Sequence, residues 1–505
     1  MNVAQLLRSG TARNRGGPAW VHAGRSASYP QLQDRVARLA AGLAERGLQP
    51  GDRVVILVPN RPELIELLWA CFWGGYVAVP LNWHLHPEEV GYVLRHCSAS
   101  ALLVAPETAG ALDTCPEDLL VLALDLPTTA ATPYEQVLAA AGSPARELPP
   151  DTPAWLFYTS GTTGRPKGAT LSHRNLLAMT LNYYAGVEPP STDQVHLHAA
   201  PLTHGSGLYL LPAMAQGSTQ VIYPATTFDP ETYLQLADSA GATHLTFLSP
   251  TMLNRLIRHL REHPRRLATL CSVIVGGAPL YEPDANAARE ILGPVIGQIY
   301  GQGEAPMTIT SRTRHDEVGR TSVGRPFIGV EVRIVDDHAR SVSTGVDGEI
   351  TVRGDVVMTG YWNDPRATRD ALRDGWLHTG DIGHLDGDGY LHLTDRAKDV
   401  IITGGSNVYP REVEEVLLTH PSVREAAVVG RADPEWGEAV VAFVVPAKGR
   451  TVEPPALTEH CRQHLASFKK PRVYVVLQQL PKNATGKVLK HQLHVPTANL
   501  ESPAR

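Results

Sequence analysis

The first third of the chain alternates apolar runs of strand length with longer runs of helical spacing. The β-branched run "RVVILVPN" (53–60) is typical of a strand buried on both faces of a sheet. It is followed by "RPELIELLWACFWGG", a helical pattern ending in glycines, and then by the strand "YVAVPL", the helix "HPEEVGYVLRHC" and the strand "ALLVA". This order predicts a parallel sheet with crossover helices, and the rhythm returns at 244–249 and 272–280.

Beyond about residue 330 the pattern changes to short alternating strands separated by Asp/Gly turns, as in "VEVRIVD", "GEITVRG" and "GYLHLTDR". After "DRAKDVIITGGSN" a compact sequence of helix, strand, strand, helix and strand follows. We therefore predict an α/β fold. Its large N-terminal domain (1–397) has parallel-rich sheets and a small barrel-like, more antiparallel subdomain. A small α+β C-terminal domain (398–505) follows a boundary near Lys398.

Size and composition narrow the class of protein. A chain of 505 residues is too long for one ordinary core, which agrees with two or more domains. A formal net charge of -6 argues against a nucleic-acid partner, which usually requires a basic patch. The five cysteines have no short paired spacing, which argues against a zinc site and a disulfide framework and favours a reducing, cytoplasmic location; they are Cys71, Cys97, Cys115, Cys271 and Cys461.

Neither the N-terminus nor the interior predicts a membrane segment. "MNVAQLLRSGTARNRGG" lacks the apolar core of a signal peptide. The most apolar run, from Leu67 to Leu81, is broken by two glycines and Pro80 and is too short to span a bilayer. We interpret it as the end of a buried helix, a turn and a strand, and we expect a cytoplasmic enzyme.

The stretch "YTSGTTGRPKG" (158–168) predicts a phosphate-binding loop. Its glycines expose backbone N–H groups, its Thr and Ser hydroxyls add donors, and Lys167 adds a positive charge. It is not a Walker A loop, because that motif requires Gly-Lys-Ser/Thr at the start of a helix. Here Pro166 precedes Lys167 and disfavours a helical conformation at Arg165, so we expect an irregular loop.

This stretch resembles the phosphate loop of the adenylate-forming enzymes, which include acyl-CoA synthetases, adenylation domains of peptide synthetases and luciferases. Six further motifs follow in that family's order: "APLTHGSG" (200–207), "VGGAPL" (275–280), "YGQGEAP" (300–306), "GWLHTGDIG" (375–383), "DRAKDVIITGGSNVYPREVE" (395–414) and "PKNATGK" (481–487). The resemblance implies an AMP-forming acid–thiol ligase. Such an enzyme activates a carboxylic acid with ATP as an acyl-AMP and transfers the acyl group to coenzyme A, releasing AMP and pyrophosphate.

The chemistry explains why such an enzyme needs these residue types. A carboxylate is a poor electrophile because its leaving group would be oxide, whereas the leaving group of an acyl-AMP is AMP. Forming that anhydride requires cations against the triphosphate, a divalent metal and a dry pocket for the acid. The resemblance implies that Lys487 holds the carboxylate and the α-phosphate, and that Glu304 and Thr159 bind Mg²⁺.

The resemblance also implies a nucleotide site. Tyr300 would stack on the adenine opposite the "GGAP" turn (276–279), Gln298 would read the adenine amino group, Asp381 would accept from the ribose hydroxyls, and Arg396 would contact ribose or phosphate. The full set predicted for ATP and AMP is Thr159, Ser160, Gly161, Thr162, Thr163, Gly164, Lys167, Gly276, Gly277, Ala278, Pro279, Gln298, Tyr300, Gly301, Gln302, Gly303, Asp381 and Arg396.

For the acid, the resemblance implies that His204 lines the pocket, gates the pantetheine tunnel and belongs to the catalytic set with Lys487 and Glu304. The pocket set is His204, Gly205, Tyr209, Ser249, Gly276, Gln302, Gly303, Pro306 and Met307. These residues carry no obvious charge for an amino-acid substrate, which favours an uncharged tail: an aromatic or phenylpropanoid acid, or a medium-chain fatty acid. Gly303 stands where the family usually has Thr. A water or amide could replace that hydroxyl, or the glycine could make room for substrate.

For the second step, the resemblance implies a mobile C-terminal domain that swings about Lys398, so that Gly404 and Gly405 then line the route of the thiol. Lys469 and Lys470 are candidate contacts for the phosphates of coenzyme A. Two alternatives stay open: an acyl-AMP ligase that loads a carrier protein, and a catalytically silent nucleotide-binding protein on the same fold. A homodimer is a family-level expectation.

Overall fold

The computed structural model of the protein describes residues 2–127, 129–159, 166–188, 191–278, 280–314, 316, 322–396, 399–403, 406–433, 436–465, 469–483 and 488–494. In chain order its strands are β1 (Pro18–His22), β2 (Arg25–Ser28), β3 (Arg53–Leu57), β4 (Val77–Pro80), β5 (Ala99–Val104), β6 (Leu120–Ala123), β7 (Thr132–Pro133), β8 (Pro153–Thr159), β9 (Lys167–Ser172), β10 (Val195–His198), β11 (Thr219–Ile222), β12 (His244–Leu248), β13 (Ser272–Val275), β14 (Ile296–Tyr300), β15 (Thr310–Arg312), β16 (Ser322–Pro326), β17 (Val330–Val335), β18 (Gly348–Gly354), β19 (Gly360–Tyr361), β20 (Leu372–Arg373), β21 (Trp376–Leu385), β22 (Leu391–Arg396), β23 (Ile401–Thr403), β24 (Ser406–Val408), β25 (Val423–Asp433), β26 (Gly437–Pro446) and β27 (Val473–Val476).

The helices are α1 (Ala4–Arg13), α2 (Tyr29–Glu45), α3 (Pro62–Gly74), α4 (Pro87–His96), α5 (His173–Gly186), α6 (Gly205–Leu208), α7 (Leu210–Ala215), α8 (Pro230–Ser239), α9 (Pro250–Glu262), α10 (Glu282–Leu292), α11 (Pro365–Ala371), α12 (Pro410–Leu418) and α13 (Pro454–His464). The described residues include no helix with the length and apolar character needed to cross a membrane.

The first sheet has the strand order β19-β9-β8-β4-β3-β5-β6-β7. Its central pairs β4–β3 and β3–β5 are parallel, because α3 and α4 return the chain to the same end of the sheet each time. The predicted strand–helix rhythm of this region is therefore confirmed. The hairpin β8–β9 extends the sheet antiparallel and flanks the predicted phosphate loop. β19 then pairs with β9 and brings Tyr361 into the same edge.

The largest sheet follows the order β17-β18-β21-β22-β16-β15-β14-β13-β12-β10-β11-β1-β2. Its pairs from β11 through β10, β12 and β13 to β14 are parallel, and those from β14 to β17 are antiparallel. The change occurs at β15 (Thr310–Arg312), about twenty residues before the position that the sequence predicts, because the helical crossovers end after β14. The α/β fold class, with an antiparallel subdomain after residue 330, is confirmed.

The third sheet belongs to the C-terminal part of the chain and has the order β24-β23-β26-β25, with β27 added parallel to β26. Helices α12 and α13 bury the apolar residues Val413, Leu417 and Leu457 against it. The predicted order of helix, strand, strand, helix and strand is observed. The boundary at 397/398 stays a prediction, and Lys398 lies outside the described residues.

Helix α3 shows how the N-terminal part is held together. Every residue of this helix from Pro62 to Trp73 is buried. A helix that is apolar on most of its faces must be surrounded by protein, so α3 forms a core element of the large domain. It ends at Gly75, whose φ of 79° is the left-handed conformation that glycine adopts without strain. The Leu67–Leu81 run is thus a buried helix, a turn and a strand.

Candidate active site

A cleft of about 1170 Å³ lies between the largest sheet and the C-terminal unit. One wall contains Gly277, Ala278, Gln298, Tyr300, Gly301 and Asp381, all of which the sequence predicts for the nucleotide. The facing wall contains Ile401, Glu414, Lys482, Asn483 and residues 488–491. The structure thus brings the predicted nucleotide residues of β13, β14 and β21 to one surface.

Asp381 is the centre of hydrogen bonding on the first wall. Its Oδ2 accepts a hydrogen bond of 2.6 Å from the Tyr300 hydroxyl and one of 2.5 Å from Gln302 Nε2. Gln302 Nε2 also donates to the carbonyl of Thr379 at 3.0 Å. Because Asp381 is buried and multiply bonded, its carboxylate is held in one place at the edge of the cleft. In β22 the backbone of Arg396 pairs directly with Asp381; its side chain lies outside the described residues.

Glu304 forms a second polar cluster, next to the phosphate-loop hairpin. Its Oε1 accepts a hydrogen bond of 2.7 Å from the Tyr361 hydroxyl and a longer one, 3.4 Å, from Thr159 Oγ1. Burial, and secondly the negative charge of Glu304, raise the pKa of Tyr361, so this phenol stays a protonated donor. Lys167 Nζ lies 5.3 Å from the centre of the Tyr361 ring. A carboxylate and a hydroxyl are donors that fit Mg²⁺, whose remaining ligands would come from triphosphate and water.

Tyr361 is a site residue that the sequence analysis missed. It stands 57 positions after Glu304 and reaches it because β19 pairs with β9, the strand that follows the phosphate loop. The available signal was the short motif "TGYW" after the antiparallel strands, which fits an ordinary turn equally well.

Aromatic side chains pack beside the residues predicted for the acid pocket. The rings of Phe157 and His204 lie 4.9 Å apart, and those of Tyr209 and Phe247 lie 5.8 Å apart. A Cβ atom at Gly205 would lie 2.6 Å from Phe247 Cζ, and one at Gly277 would lie 3.1 Å from the same atom. The glycines therefore make room for the Phe247 ring, which the sequence analysis did not include. Phe247 adopts a φ of 52°, an uncommon conformation for a non-glycine residue.

Other predicted pocket residues have local roles. Ser249 caps α9, with its Oγ accepting from the backbone N–H of Met252 at 3.3 Å. Tyr209 is buried, and within the described part of the chain its hydroxyl has no hydrogen-bond partner. Met307 is buried with a φ of 62° in the turn after Glu304, next to Pro306.

The structure gives a physical reason for Gly303. A Cβ at this position would lie 2.5 Å from Thr159 Cγ2 and 2.8 Å from Phe157 Cδ1. Both distances are too short for non-bonded carbon atoms, so a threonine fits only if Phe157 or Thr159 moves. Phe157 occupies the space beside Gly303. The sequence left open a replacement of the hydroxyl by a water or amide, or room for substrate; crowding by Phe157 and Thr159 is a third, steric explanation.

Several predicted residues lie outside the described part of the chain: Ser160, Gly161, Thr162, Thr163, Gly164, Pro279, Lys398, Gly404, Gly405 and Lys487. On either side of Lys487 the described residues end at Asn483 and resume at Val488. Lys482 and Val488 form an antiparallel bridge, and residues on both sides of Lys487 line the cleft opposite Tyr300 and Asp381. Lys469 Nζ forms an ion pair with both carboxylate oxygens of Glu412 at 2.7 and 2.8 Å, and Lys470 follows it before β27.

These features are the ones expected of an enzyme that binds a nucleotide between a large domain and a C-terminal unit. Two family models match the chain: the AMP-binding enzyme over residues 7–362 and the AMP-binding enzyme C-terminal domain over residues 412–487. The protein belongs to the family of AMP-binding enzymes.

Relatives and solved structures agree with this assignment. The chain is 39% identical over 482 residues to a feruloyl-CoA synthase from Amycolatopsis sp, with 94% of each chain covered. It is 37% identical over 477 residues to an indoleacetate–CoA ligase from Aromatoleum aromaticum, with 92% of each covered. The structure of the amide bond synthetase McbA from Marinactinospora thermotolerans superposes with a TM-score of 0.89 at 35% identity, covering 97% of this chain and 98% of that one. The predicted enzyme class, an AMP-forming acid–CoA ligase, is confirmed.

Proposed function

We propose that the protein joins an aromatic or phenylpropanoid carboxylic acid to coenzyme A through an acyl-AMP intermediate. The observations that carry this substrate class are the two aromatic contacts beside the residues predicted for the acid, Phe157 with His204 and Tyr209 with Phe247. Aromatic rings pack favourably at centroid distances of 4.5 to 7 Å, so a flat acid gains contact area there without needing a charged partner. The names of the feruloyl-CoA and indoleacetate relatives agree with an aromatic acid.

In the first step, Asp381 accepts hydrogen bonds from the ribose hydroxyls, while Tyr300 and the Gly276–Ala278 turn enclose the adenine. The support is that these residues border one cleft and that Asp381 is already fixed by Tyr300 and Gln302. A carboxylate held in advance binds ligand hydroxyls with little further ordering cost.

Glu304 and Thr159 would hold Mg²⁺, with the Tyr361 hydroxyl orienting the carboxylate. When bound, the ion supplies positive charge against the triphosphate. Lys167 contributes a second cation from β9. Lys487 supplies the cation that holds the acid's carboxylate against the α-phosphate, and the position of its neighbours at the cleft supports this role. The acid oxygen then bonds to the α-phosphorus and pyrophosphate leaves.

In the second step, the sulfur of coenzyme A bonds to the acyl carbon and AMP leaves. We propose that the C-terminal domain turns about Lys398 so that Gly404 and Gly405 line the thiol's route. An amine acceptor is a second candidate. The reason is that Lys469, which the sequence predicts to contact a CoA phosphate, forms an ion pair with Glu412 instead. The structural similarity to an amide bond synthetase favours the same alternative. A cytoplasmic location and a homodimer stay predictions from the sequence.

A panel assay tests the proposal. The purified protein receives ATP, Mg²⁺ and one acid (ferulate, indole-3-acetate, benzoate, octanoate or phenylalanine), with coenzyme A, an acyl carrier protein or a simple amine as acceptor. We expect AMP to form with the aromatic acids and CoA, together with a thioester. Octanoate as the preferred acid would overturn the substrate class. Amide formation without a thioester would replace coenzyme A as acceptor, and absence of AMP with every acid would overturn the ligase.

A further inference from the structure

One buried carboxylate links the two walls of the cleft. Glu414 of α12 is 3% exposed. Its Oε1 accepts a hydrogen bond of 2.8 Å from the backbone N–H of Val428 and lies 2.8 Å from Lys490 Nζ. Its Oε2 accepts a hydrogen bond of 2.6 Å from the hydroxyl of Tyr281. Val428 and Lys490 belong to the C-terminal unit, whereas Tyr281 belongs to the large domain.

Tyr281 stands directly after the turn that the sequence predicts for adenine. Gly277, Ala278 and Tyr281 all line the cleft, and Tyr281 is the residue before the first turn of α10. Burial, and secondly the charge of Glu414, raise the pKa of Tyr281, so its phenol stays protonated and donates to the carboxylate. A charge-assisted hydrogen bond of this length is among the stronger kinds in proteins.

Lys490 places the other end of this link near the predicted catalytic lysine. It follows Lys487 by three residues, just after the Lys482–Val488 bridge. The Leu489 N–H donates to the Pro481 carbonyl at 2.8 Å, so the described residues before and after Lys487 are bonded to each other. Glu414 therefore fixes the base of the segment that carries Lys487, and Tyr281 connects that base to the nucleotide wall.

We propose that Tyr281 is a positioning residue for adenylation: its bond to Glu414 holds the C-terminal unit in the orientation that presents Lys487 to the nucleotide. This inference rests on the proposed function, in which Lys487 acts in the first step. The contacts of Glu414 with Val428 and Lys490 lie within the C-terminal unit and survive a rotation of that unit as a body. The contact between Glu414 and Tyr281 is broken by such a rotation, so this contact stabilises the observed orientation of the C-terminal unit over the rotated one.

A second contact between the two units differs in kind. Lys448 Nζ lies 3.9 Å from Glu262 Oε1, and the Lys448 side chain is 96% exposed. Exposed ion pairs of this length contribute little, because water screens them and the long side chains lose freedom. Of these two contacts, we therefore expect the buried Tyr281–Glu414 bond to stabilise the orientation of the C-terminal unit, and the Lys448–Glu262 pair to contribute little.

The test measures the two half-reactions separately in full-length Tyr281→Phe. Adenylation is followed by acid-dependent exchange of pyrophosphate into ATP, and thiolysis by adding synthetic acyl-AMP and coenzyme A. Because the lost bond has a charged acceptor, we expect the adenylation kcat to fall about tenfold or more, with thiolysis unchanged or faster. The KM for ATP should change little, since the variant keeps the adenine turn and Asp381.

The matched control is Tyr233→Phe, which removes a buried hydroxyl with no hydrogen-bond partner in the described part of the chain. It should leave both half-reactions unchanged. A second series uses Glu414→Gln, which keeps the shape of the side chain. In the double variant Tyr281→Phe/Glu414→Gln, the fall in adenylation should be much smaller than the product of the falls in the two single variants. Thermal unfolding of each variant shows whether it is folded.

The outcomes separate the two proposals. If the wild-type protein exchanges no pyrophosphate with any acid, the proposed function is overturned and the role of Tyr281 falls with it. If the wild type is active and Tyr281→Phe adenylates normally, only the role of Tyr281 is overturned. The role of Tyr281 is also overturned if both half-reactions fall equally in Tyr281→Phe, or if thiolysis falls and adenylation does not.

Discussion

The two walls of the cleft are built differently. On the nucleotide wall, Tyr300 and Gln302 both donate to Asp381, and the strands β14 and β21 that carry Tyr300 and Asp381 belong to one continuous sheet. On the facing wall, Glu414 and Lys490 belong to a separate sheet unit and meet the large domain through Tyr281. Strand pairing fixes the first wall whenever the large domain is folded, whereas under the proposed rotation of the C-terminal unit the second wall would face the nucleotide in one orientation only.

This difference suggests that the two walls have different roles in the reaction. Groups that recognise ATP belong on the wall that is always formed, because preorganised groups bind ligand without an ordering cost. The group required for one chemical step belongs on the wall that can withdraw, because another molecule must later reach the same acyl carbon. Changes on the first wall should therefore affect ATP binding, and changes on the second should separate the half-reactions.

The largest expected effect comes from the wall that we propose to move. Lys487→Ala should lower adenylation by about 10²- to 10³-fold, the usual size for losing one preorganised electrostatic contact. Thiolysis of supplied acyl-AMP should be largely retained. The control is Lys482→Ala, on the same segment but paired with Glu425 at 2.6 Å, which should lower adenylation far less. An equal fall in both half-reactions would contradict the division between the walls.

Asp381→Asn tests the fixed wall. The side-chain amide of the new Asn would place an N–H₂ group or a weaker acceptor against the Tyr300 and Gln302 donors. The substitution also removes the charged acceptor proposed for the ribose hydroxyls. We expect the KM for ATP to rise about 10- to 100-fold, as for hydrogen bonds to a charged group. Pyrophosphate exchange at varied ATP concentration measures this. Asp388→Asn, the same change at an exposed position, should leave this KM unchanged; a loss confined to thiolysis would contradict the assignment.

Gly303→Thr tests the packing beside the acid pocket. Its new Cβ would press on Phe157 and Thr159, and overpacking of this kind costs about 1–3 kcal/mol. We expect about a tenfold fall in kcat/KM for the acid, measured by CoA-dependent AMP formation. Adding Phe157→Ala removes one of the two close contacts and should restore part of the loss. A fully active Gly303→Thr would show that the steric reason is wrong.

The smallest expected effect is on the stability of the sheet that carries the nucleotide wall. His198 of β10 is buried between Ser206 Oγ and Gln220 Oε1, both at 2.9 Å, and burial lowers its pKa to about 4. Because the unfolded ring titrates near 6.5, the unfolded state takes up a proton first as the pH falls. The stability that His198 contributes is therefore present above pH 6.5 and is lost between pH 6.5 and about 4.

We expect thermal unfolding without ligands to move down by about a few degrees across that pH window. Substituting His198→Gln removes the titrating ring and should make the decline less steep, although the protein itself is expected to be less stable at neutral pH. An unchanged slope in His198→Gln would show that this ring does not contribute to the acid sensitivity.

Much of the architecture was predictable because it depends on local patterns. Periodicity and turn residues account for the parallel strands around α3 and α4, the antiparallel strands after residue 330 and the order of the C-terminal elements. They did not show that antiparallel pairing begins earlier, at β15. The nucleotide residues were predicted from motifs, and the structure gathers Gln298, Tyr300 and Asp381 at one cleft. The roles of these residues, and of those outside the described part of the chain, stay predictions.

What the sequence by itself determined was the class of enzyme, the order of its secondary structure and the candidate chemical groups, because each depends on a short run of neighbouring residues. Only the tertiary structure decided that Tyr361 holds Glu304, that Phe157 excludes a side chain at Gly303 and that Tyr281 reaches Glu414. The partners in these contacts come from strands or helices far apart in the chain. Their distances depend on sheet register and domain orientation, which no local pattern specifies.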